Sequence, residues 1–272
     1  MHSIYLAETG ISAKEPIALV AGVIINEDLQ WKAVERAVAD LITEFVPVEH
    51  REGFSFHATD LYHCSGKIFH HSKYPRERAR EALKRLLSIP RRFALPVSMG
   101  YLTKSTFKPT REFDASGKAK LHHAIAYFCC VIAAERHMVL TRPPQELARL
   151  IAEHNAETHE VVRLAHKLLQ GKVGRELIEH LTKRFGPGVD FHLPLRRIID
   201  TVHFAEKDDA ILLQLADACA LILRYWAEGK SGHYIDEYFD AFAGPESEFK
   251  TTQRRPVFNC TWLFRRGLRN GA

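Results

Sequence analysis

The segment Ala210–Leu223, which reads AILLQLADACALIL, constrains the fold more than any other part of this chain. Its apolar residues fall on every side of a helix, which predicts a helix buried on every side within a protein core. Gln214 and Asp217 are its two polar residues, and because they lie three positions apart they share one helical face. A carboxylate buried alone is costly, so Asp217 needs a cation, a metal ion or a set of hydrogen-bond donors. A functional carboxylate and a structural ion pair both meet that need.

Apolar segments elsewhere predict the strands of a buried sheet. Ser3–Leu6 is short and β-prone, and Ile17–Ile25 is a continuous apolar run rich in β-branched residues, so the two predict neighbouring strands. A third strand is predicted over Phe93–Thr103, where Pro96 indicates an edge strand or a bulge. A fourth is predicted over Leu195–Phe204.

Helices are predicted between and after these strands. Asp208 or Asp209 is expected to cap the apolar helix, which then runs to about Trp226. Four further segments predict helices: Leu29–Phe45, Arg76–Ser88, Lys118–Leu140 and Tyr234–Phe242. The mixture of strands and helices predicts an α/β protein.

One stretch fits two interpretations. The apolar positions from Leu147 to Ala165 fit one continuous helix. They also fit a short strand that ends at Glu153, followed by a helix over Glu157–Gln170. Periodicity alone favours the continuous helix.

Composition narrows the class of protein. The chain has 272 residues, 46% of them hydrophobic and 26% charged, and it contains no repeat or low-complexity linker. We therefore expect a single domain over residues 1–272 with a basic, aromatic tail from Thr252 onward. The net charge of +5 weakly favours an anionic partner such as nucleic acid, and a solvated basic surface explains it equally well. Walker, G-x-G-x-x-G, G-x-S-x-G and H-E-x-x-H motifs are missing, which argues against nucleotide-binding, α/β-hydrolase and metalloprotease functions.

The cysteines and the first residues bear on the compartment. The five cysteines form no C-x-x-C pair, and buried reduced thiols are the simplest explanation. Residues 1–10 lack the basic and apolar regions of a signal peptide, and Ala210–Leu223 is too short to cross a bilayer. We therefore expect a cytoplasmic protein that does not associate with membranes.

Other acidic and histidine residues are weaker candidates for a site. Glu8 stands where the first strand meets its turn, and a solvated turn acid is the simpler interpretation. Glu153 follows LARLIA, and the helical interpretation makes it an exposed residue. His57 and Asp60 belong to FHATDLYH, whose spacing matches no zinc motif.

Taken together, these segments resemble the bacterial domain-of-unknown-function family numbered 3800, which is grouped by fold with the ribonuclease H-like nucleases. Its members open with a strand Y-x-D-E-S-G, here YLAETG at Tyr5–Gly10. A segment like E-x-H-A follows, here Ser55–Ala58, and a middle strand ends in an acid, here Glu153. Late in the chain comes Q-x-A-D, here Gln214–Asp217. The resemblance runs from residue 3 to about residue 226.

The resemblance implies a ribonuclease H-like α/β fold, in which a mixed sheet is flanked by helices, with helical insertions. It implies the strand rather than the helix before Glu153, and it places Glu8, Glu153 and Asp217 together at one end of the sheet. Carboxylates clustered in this way bind Mg²⁺ or Mn²⁺, and the bound ions promote hydrolysis of phosphodiesters. The implied activity is therefore that of a metal-dependent nuclease. Supporting roles are implied for five more residues: Asp209 as an extra ligand, His57, Asp60 and Asn155 near the substrate, and Gln214 orienting Asp217.

Two departures from the family pattern affect the expected activity. Ala7 stands where the family usually has aspartate, and Ser55 stands where it often has an acid. The missing aspartate leaves three explanations open. Glu8 takes over the role, or the protein is an inactive module that binds nucleic acid or protein, or the residue has been altered artificially.

Overall fold

The computed structural model describes residues 1–12, 14–106, 114–171, 179, 194–244 and 259–263. Within these ranges the chain forms a mixed sheet covered by helices on both faces, as expected for an α/β protein. Most of the tail predicted from Thr252 onward lies outside the described residues.

The sheet has six strands in the order β5-β4-β1-β2-β3-β6. The strands are β1 (His2–Thr9), β2 (Ile17–Asn26), β3 (Val97–Thr103), β4 (Ala148–Glu153), β5 (His203–Ala205) and β6 (Asn259–Leu263). β1 pairs antiparallel with β2 and parallel with β4, and β4 pairs parallel with β5. β3 pairs antiparallel with both β2 and β6. The first strand is therefore internal, and its predicted pairing with the second strand is confirmed.

The helices are α1 (Trp31–Phe45), α2 (Ala58–His63), α3 (Arg76–Arg92), α4 (Ala115–Thr141), α5 (His159–Gln170), α6 (Leu212–Glu228) and α7 (His233–Ala243). α6 lies against β1 and β2 on one face of the sheet, together with α1, α3 and α7. α4 and α5 cover the other face. The short helix α2 was not expected from the sequence.

Side chains of β1 alternate between these two cores. Tyr5 and Ala7 pack into the core beneath α6, whereas Ile4 and Leu6 pack into the core beneath α4 and α5. This alternation follows from the two-residue period of a strand. It also fixes which face each later residue of β1 can reach.

The apolar helix is buried as its composition predicts. In α6 every residue from Leu212 to Trp226 is buried except Asp217, which is half-buried. The helix packs against β1 and β2, at the centre of the sheet.

The stretch before Glu153 is a strand, so the continuous helix favoured by periodicity is wrong. Ala148, Leu150 and Ala152 are buried on the α4 face, while the residues between them are half-buried on the α6 face. An apolar residue at every second position satisfies a strand between two covered faces as well as it satisfies a helix. The following helix begins at His159, two residues later than Glu157.

Three boundaries differ from the sequence prediction. The strand predicted from Phe93 begins at Val97, because α3 extends to Arg92. Pro96 precedes this strand, and β3 is paired on both sides, so it is not the edge strand that Pro96 indicated. Neither Asp208 nor Asp209 caps α6: Ile211 stands at the N-cap, and within the described residues no side chain caps this helix.

The strand predicted over Leu195–Phe204 is much shorter than expected. Only His203–Ala205 forms β5, preceded by an isolated bridge between Ile198 and Ala148. The fully buried carboxylate of Glu135 in α4 instead accepts hydrogen bonds from the backbone N–H groups of residues 196–198, at 2.7 to 3.2 Å. These bonds replace the sheet hydrogen bonds that a longer strand would make.

The helix α4 is apolar enough to raise the question of a membrane. Residues Ser116–Thr141 have the length and hydropathy of a membrane-spanning helix, but 67% of the most apolar stretch is buried inside the protein. α4 packs along β2 and β3. A core helix of an α/β sheet accounts for this apolar character.

Truncation of α6 should destabilise the fold far more than truncation of a surface helix. Leu215 in α6 is fully buried, whereas Leu164 in α5 is 59% exposed. We expect Leu215→Ala to lower the free energy of unfolding by about 2–5 kcal/mol and Leu164→Ala to change it by less than about 0.5 kcal/mol. Urea unfolding followed by circular dichroism measures both; equal losses would contradict the described packing.

Candidate lysine–carboxylate site

The candidate site lies at the carboxyl end of the parallel strands, on the α6 face of the sheet. Leu6 pairs with Ala152 and Glu153 pairs with Ala205, so Ala7, Glu153 and Ala205 form one row across three strands. Asp217 projects from α6 above this row. The site therefore combines the last residue of β4 with Asp217, the half-buried acid in the buried stretch Leu212–Trp226 of α6.

Lys207 lies between the two carboxylates. Its Nζ is 3.1 Å from Glu153 Oε2 and 3.2 Å from Asp217 Oδ2. It also donates to Nδ1 of His57 at 3.4 Å. The lysine side chain is 8% exposed, so this ammonium group is a buried cation with two anionic partners.

The surroundings of Lys207 keep it charged. Burial lowers the pKa of Lys207, but the charges and hydrogen bonds of Asp217 and Glu153 outweigh that effect and raise it above its ordinary value. The site accordingly holds two negative charges and one positive charge.

Gln214 holds the segments that surround Asp217. Its Oε1 accepts the backbone N–H of Phe56 at 2.9 Å, and its Nε2 donates to the backbone carbonyl of Lys207 at 3.3 Å. Ala58 then donates its backbone N–H to Asp217 Oδ2 at 2.9 Å. Gln214 was expected to orient Asp217 and instead positions the two segments that supply its donors.

Glu8 lines a small pocket together with Ala7 and Glu153, as expected for neighbouring strand ends. The expected convergence of Glu8, Glu153 and Asp217 is nevertheless not found, because the Glu8 carboxylate is not among the groups that contact Lys207. By strand alternation Glu8 faces α4 and α5, opposite to Ala7. There it pairs with the buried His123 and accepts hydrogen bonds from Asn155 Nδ2 at 2.7 Å and Thr158 Oγ1 at 3.2 Å. Asn155 therefore belongs to the environment of Glu8.

Burial and hydrogen bonding act in opposite directions on Glu8. Burial raises the pKa of Glu8. Its hydrogen bonds to His123, Asn155 and Thr158 and the charge of His123 lower the pKa by a larger amount, so it lies below its ordinary value. Glu8 is therefore an ionised, fully engaged carboxylate. Its partners account for it as a structural group that ties β1 to α4 and to the start of α5.

Two other candidate acids have surroundings of their own. Asp60 accepts a hydrogen bond from Ser65 Oγ at 3.1 Å, within the turn that follows α2. Asp209 is exposed and lines a groove of about 310 Å³ further along the α6 face of the sheet. Neither carboxylate takes part in the contacts of Lys207.

The types of donor atom at this site suit a hard metal ion, but the ammonium group of Lys207 already lies at the point on which they converge. Glu153, Asp217 and His57 place two carboxylate oxygens and one ring nitrogen around a single point, and these are ligand types for Mg²⁺ or Mn²⁺. That point is the Lys207 ammonium nitrogen. Ala7 adds no ligand on this face. In the part of the chain that the structure describes, no group of three or more His, Cys, Asp or Glu side chains is arranged to hold a metal ion.

Lys207 is the main site residue that sequence reasoning missed. A signal was available, because the lone acid in an otherwise apolar helix requires a partner and Lys207 lies just before that helix. Local periodicity gave no indication that the same lysine would also reach Glu153. His123 and Thr158, the partners of Glu8, carried no comparable signal.

No family model, no curated protein and no solved structure matches this chain. The fold and the site together define an α/β protein whose sheet carries a lysine-bridged carboxylate pair at the carboxyl end of its parallel strands.

Glu8 should contribute to stability at neutral pH and lose that contribution in acid. Its pKa is lowered from an ordinary value of 4.5, so its contribution is fully present above that pH and disappears as the pH falls through the lowered pKa. We expect Glu8→Gln to lower the free energy of unfolding by about 1–3 kcal/mol at neutral pH. The difference from the wild type should narrow in acid.

Urea unfolding from neutral pH down to about pH 3 measures this difference. Glu49→Gln is the control, because Glu49 is exposed and its substitution should change stability by less than about 0.5 kcal/mol at every pH. A pH-independent effect of Glu8→Gln would show that Glu8 does not stabilise the fold through its charge.

Proposed function

We propose that this chain is a ribonuclease H-like nuclease that depends on Mg²⁺ or Mn²⁺, and that it belongs to the domain-of-unknown-function family numbered 3800. The first strand is internal to a mixed sheet, and helices cover both faces. This arrangement supports the ribonuclease H-like assignment, because it is the one that the sequence resemblance implies.

The observation that carries the proposal is the convergence of Glu153 and Asp217 on one cation at the carboxyl end of the parallel strands. Clefts at that edge are common ligand sites in α/β proteins. In the proposed enzyme these two carboxylates hold the metal ion. A bound ion would neutralise charge on the phosphodiester and lower the pKa of the water that attacks it.

The remaining residues have roles that follow from their positions. Lys207 stabilises the negative phosphate, since a lysine ammonium binds phosphate oxygens as a point charge. The N–H of Ala58 keeps Asp217 oriented, and Gln214 holds the two segments that carry Ala58 and Lys207. The net charge of +5 is compatible with nucleic acid as the substrate. We place the protein in the cytoplasm, where its buried cysteines, Cys64, Cys129, Cys130 and Cys219, stay reduced.

A second candidate function is a nucleic-acid- or protein-binding module that has lost the metal. Two observations favour it. Ala7 leaves its face of β1 without a carboxylate beside Glu153, and Lys207 already occupies the point at which the two carboxylates converge. In this candidate the lysine replaces the metal permanently.

Cleavage assays separate an impaired enzyme from an inactive one. We expect the wild type to cleave single-stranded DNA or RNA weakly in Mn²⁺ or Mg²⁺ and not in chelator. Asp217→Asn should reduce the rate at least about a hundredfold and Ala7→Asp should raise it about tenfold or more, corresponding to about 2.7 and 1.4 kcal/mol of barrier. The measurement is the initial rate on labelled oligonucleotides.

Asp236→Asn is the matched control, because Asp236 is an exposed acid on α7 whose loss should leave the rate unchanged. Cleavage by Ala7→Asp alone would identify the wild type as inactive and favour the binding module. Absence of cleavage by every variant, with binding that weakens in salt, would also favour it. Absence of both cleavage and binding would contradict both candidates.

Metal binding tests the position of Lys207 directly. Lys207→Met removes the cation between Glu153 and Asp217, so we expect Mn²⁺ affinity to rise at least about tenfold, a change of about 1.4 kcal/mol. Isothermal titration calorimetry and the electron paramagnetic resonance signal of free Mn²⁺ measure this affinity. Mn²⁺ should also raise the melting temperature of Lys207→Met more than that of the wild type.

Lys84→Met is the control, since Lys84 forms a half-exposed pair with Glu237 at 3.4 Å. It should leave Mn²⁺ binding unchanged. If the wild type binds Mn²⁺ as tightly as Lys207→Met, the expected competition between the lysine and the metal ion is contradicted.

A further inference from the structure

A groove of about 310 Å³ lies on the same face of the sheet as the lysine–carboxylate site. Its floor is formed by Tyr5 of β1, Ile151 of β4 and Ala205 of β5. Trp31 of α1 closes one side, and the turn before α6, which contains Asp209, closes another. A volume of this size is at the lower end of the range for small-molecule sites.

The groove is linked to the lysine–carboxylate site through β4 and β5, because its lining residue Ala205 pairs with Glu153. Ile151 and Glu153 are two positions apart on one strand and point to the same face, so they are separated by roughly 7 Å. A nucleotide spans about one such step between its base and its phosphate. A phosphate at Lys207 therefore places the attached base over Ile151.

The walls of the groove suit a flat, partly apolar group. The Trp31 ring is fixed because its Nε1 donates to the Tyr5 hydroxyl at 3.1 Å. Together with Ile151 and Ala205 it offers an aromatic and aliphatic surface. Flipped or single-stranded bases stack on surfaces of this kind.

The rim of the groove carries groups that recognise the polar edge of a base. Glu35 and Asp209 are carboxylates at the rim and accept hydrogen bonds. Arg149 is held there by Glu27, which accepts from its Nε at 3.1 Å and its Nη2 at 2.8 Å. Carboxylates pair with exocyclic amines such as N4 of cytosine, so the rim favours a base that carries an amine.

We propose that this groove binds an unpaired nucleobase bearing an exocyclic amine, in a single strand whose neighbouring phosphate lies at Lys207. The inference rests on the proposed nucleic-acid function and adds its substrate class. A base within an intact duplex cannot enter, because its faces and its pairing edge are already engaged. Adenine, cytosine and guanine fit the rim, whereas thymine and uracil lack the amine.

Binding measured in Ca²⁺, an oxygen-binding divalent ion used in place of Mg²⁺ or Mn²⁺, tests the groove while the charge of the site stays balanced, and intact strands recovered after each measurement exclude a contribution from cleavage. Fluorescence anisotropy of short labelled strands compares oligo(dA), oligo(dC), oligo(dT), a strand of abasic sites and a duplex. We expect the amine-bearing strands to bind about tenfold or more tightly than the abasic strand and the duplex. Oligo(dT) should bind with intermediate affinity.

Variants in the groove wall and rim locate the contact. Trp31→Leu should weaken binding of oligo(dC) about tenfold, and Trp31→Phe, which retains a stacking ring, should restore most of it. Asp209→Asn should reduce the preference for oligo(dC) over oligo(dT). Tyr234→Leu is the control, because Tyr234 is a 45% exposed aromatic residue on α7, away from the groove.

The outcomes separate this inference from the proposed nuclease activity. Cleavage that persists together with Trp31-independent binding would contradict base binding in the groove and would still support the proposed nuclease activity. Trp31-dependent binding without cleavage would support the groove and remove the catalytic proposal. Equal affinity for duplex and single strand, or absence of binding to any strand, would overturn the groove.

Discussion

The ion contacts of Lys207 hold together the parts of the chain that define the candidate site. Glu153 ends β4, Asp217 lies in the buried helix α6, and both carboxylates contact the same ammonium nitrogen. Without that cation, two half-buried carboxylates would face each other uncompensated, which is strongly unfavourable. His57 also contacts the Lys207 ammonium group. Phe56, which precedes His57, is bound to α6 through its hydrogen bond to Gln214. The position of β4 relative to α6 thus depends on an electrostatic contact as well as on apolar packing.

The alternation of β1 decides which acid can act at this site. Ala7 faces α6 and Glu8 faces α4, and only a shift of one residue in register would exchange them. Such a shift would also move Tyr5 and Leu6 between the two cores, which makes it prohibitive. Glu8 is moreover engaged by His123, Asn155 and Thr158. Glu8 borders the same small pocket as Glu153, so replacement of the missing acid by Glu8, one of the three explanations for Ala7, requires that its bonds to these three residues break.

The parts of the fold that local pattern determines were predictable, and those that long-range pairing determines were not. Composition alone identified α6 as buried and Asp217 as needing a partner. Periodicity could not separate strand from helix before Glu153, because neighbouring strands and helices decide between them. The loop held by Glu135 and the contact between Lys207 and Glu153 join residues more than fifty positions apart, and no local pattern encodes such pairs.

The charges at the candidate site limit the metal chemistry that it could support. Glu153, Asp217 and Lys207 together leave one net negative charge. One divalent ion would change this to one net positive charge, which matches a single phosphodiester anion. Two divalent ions close together would leave a large positive excess beside a buried ammonium, which two carboxylates cannot offset. An aspartate in place of Ala7 would supply a third carboxylate on the same face. In the proposed enzyme, Ala7 and Lys207 therefore favour one bound ion over two.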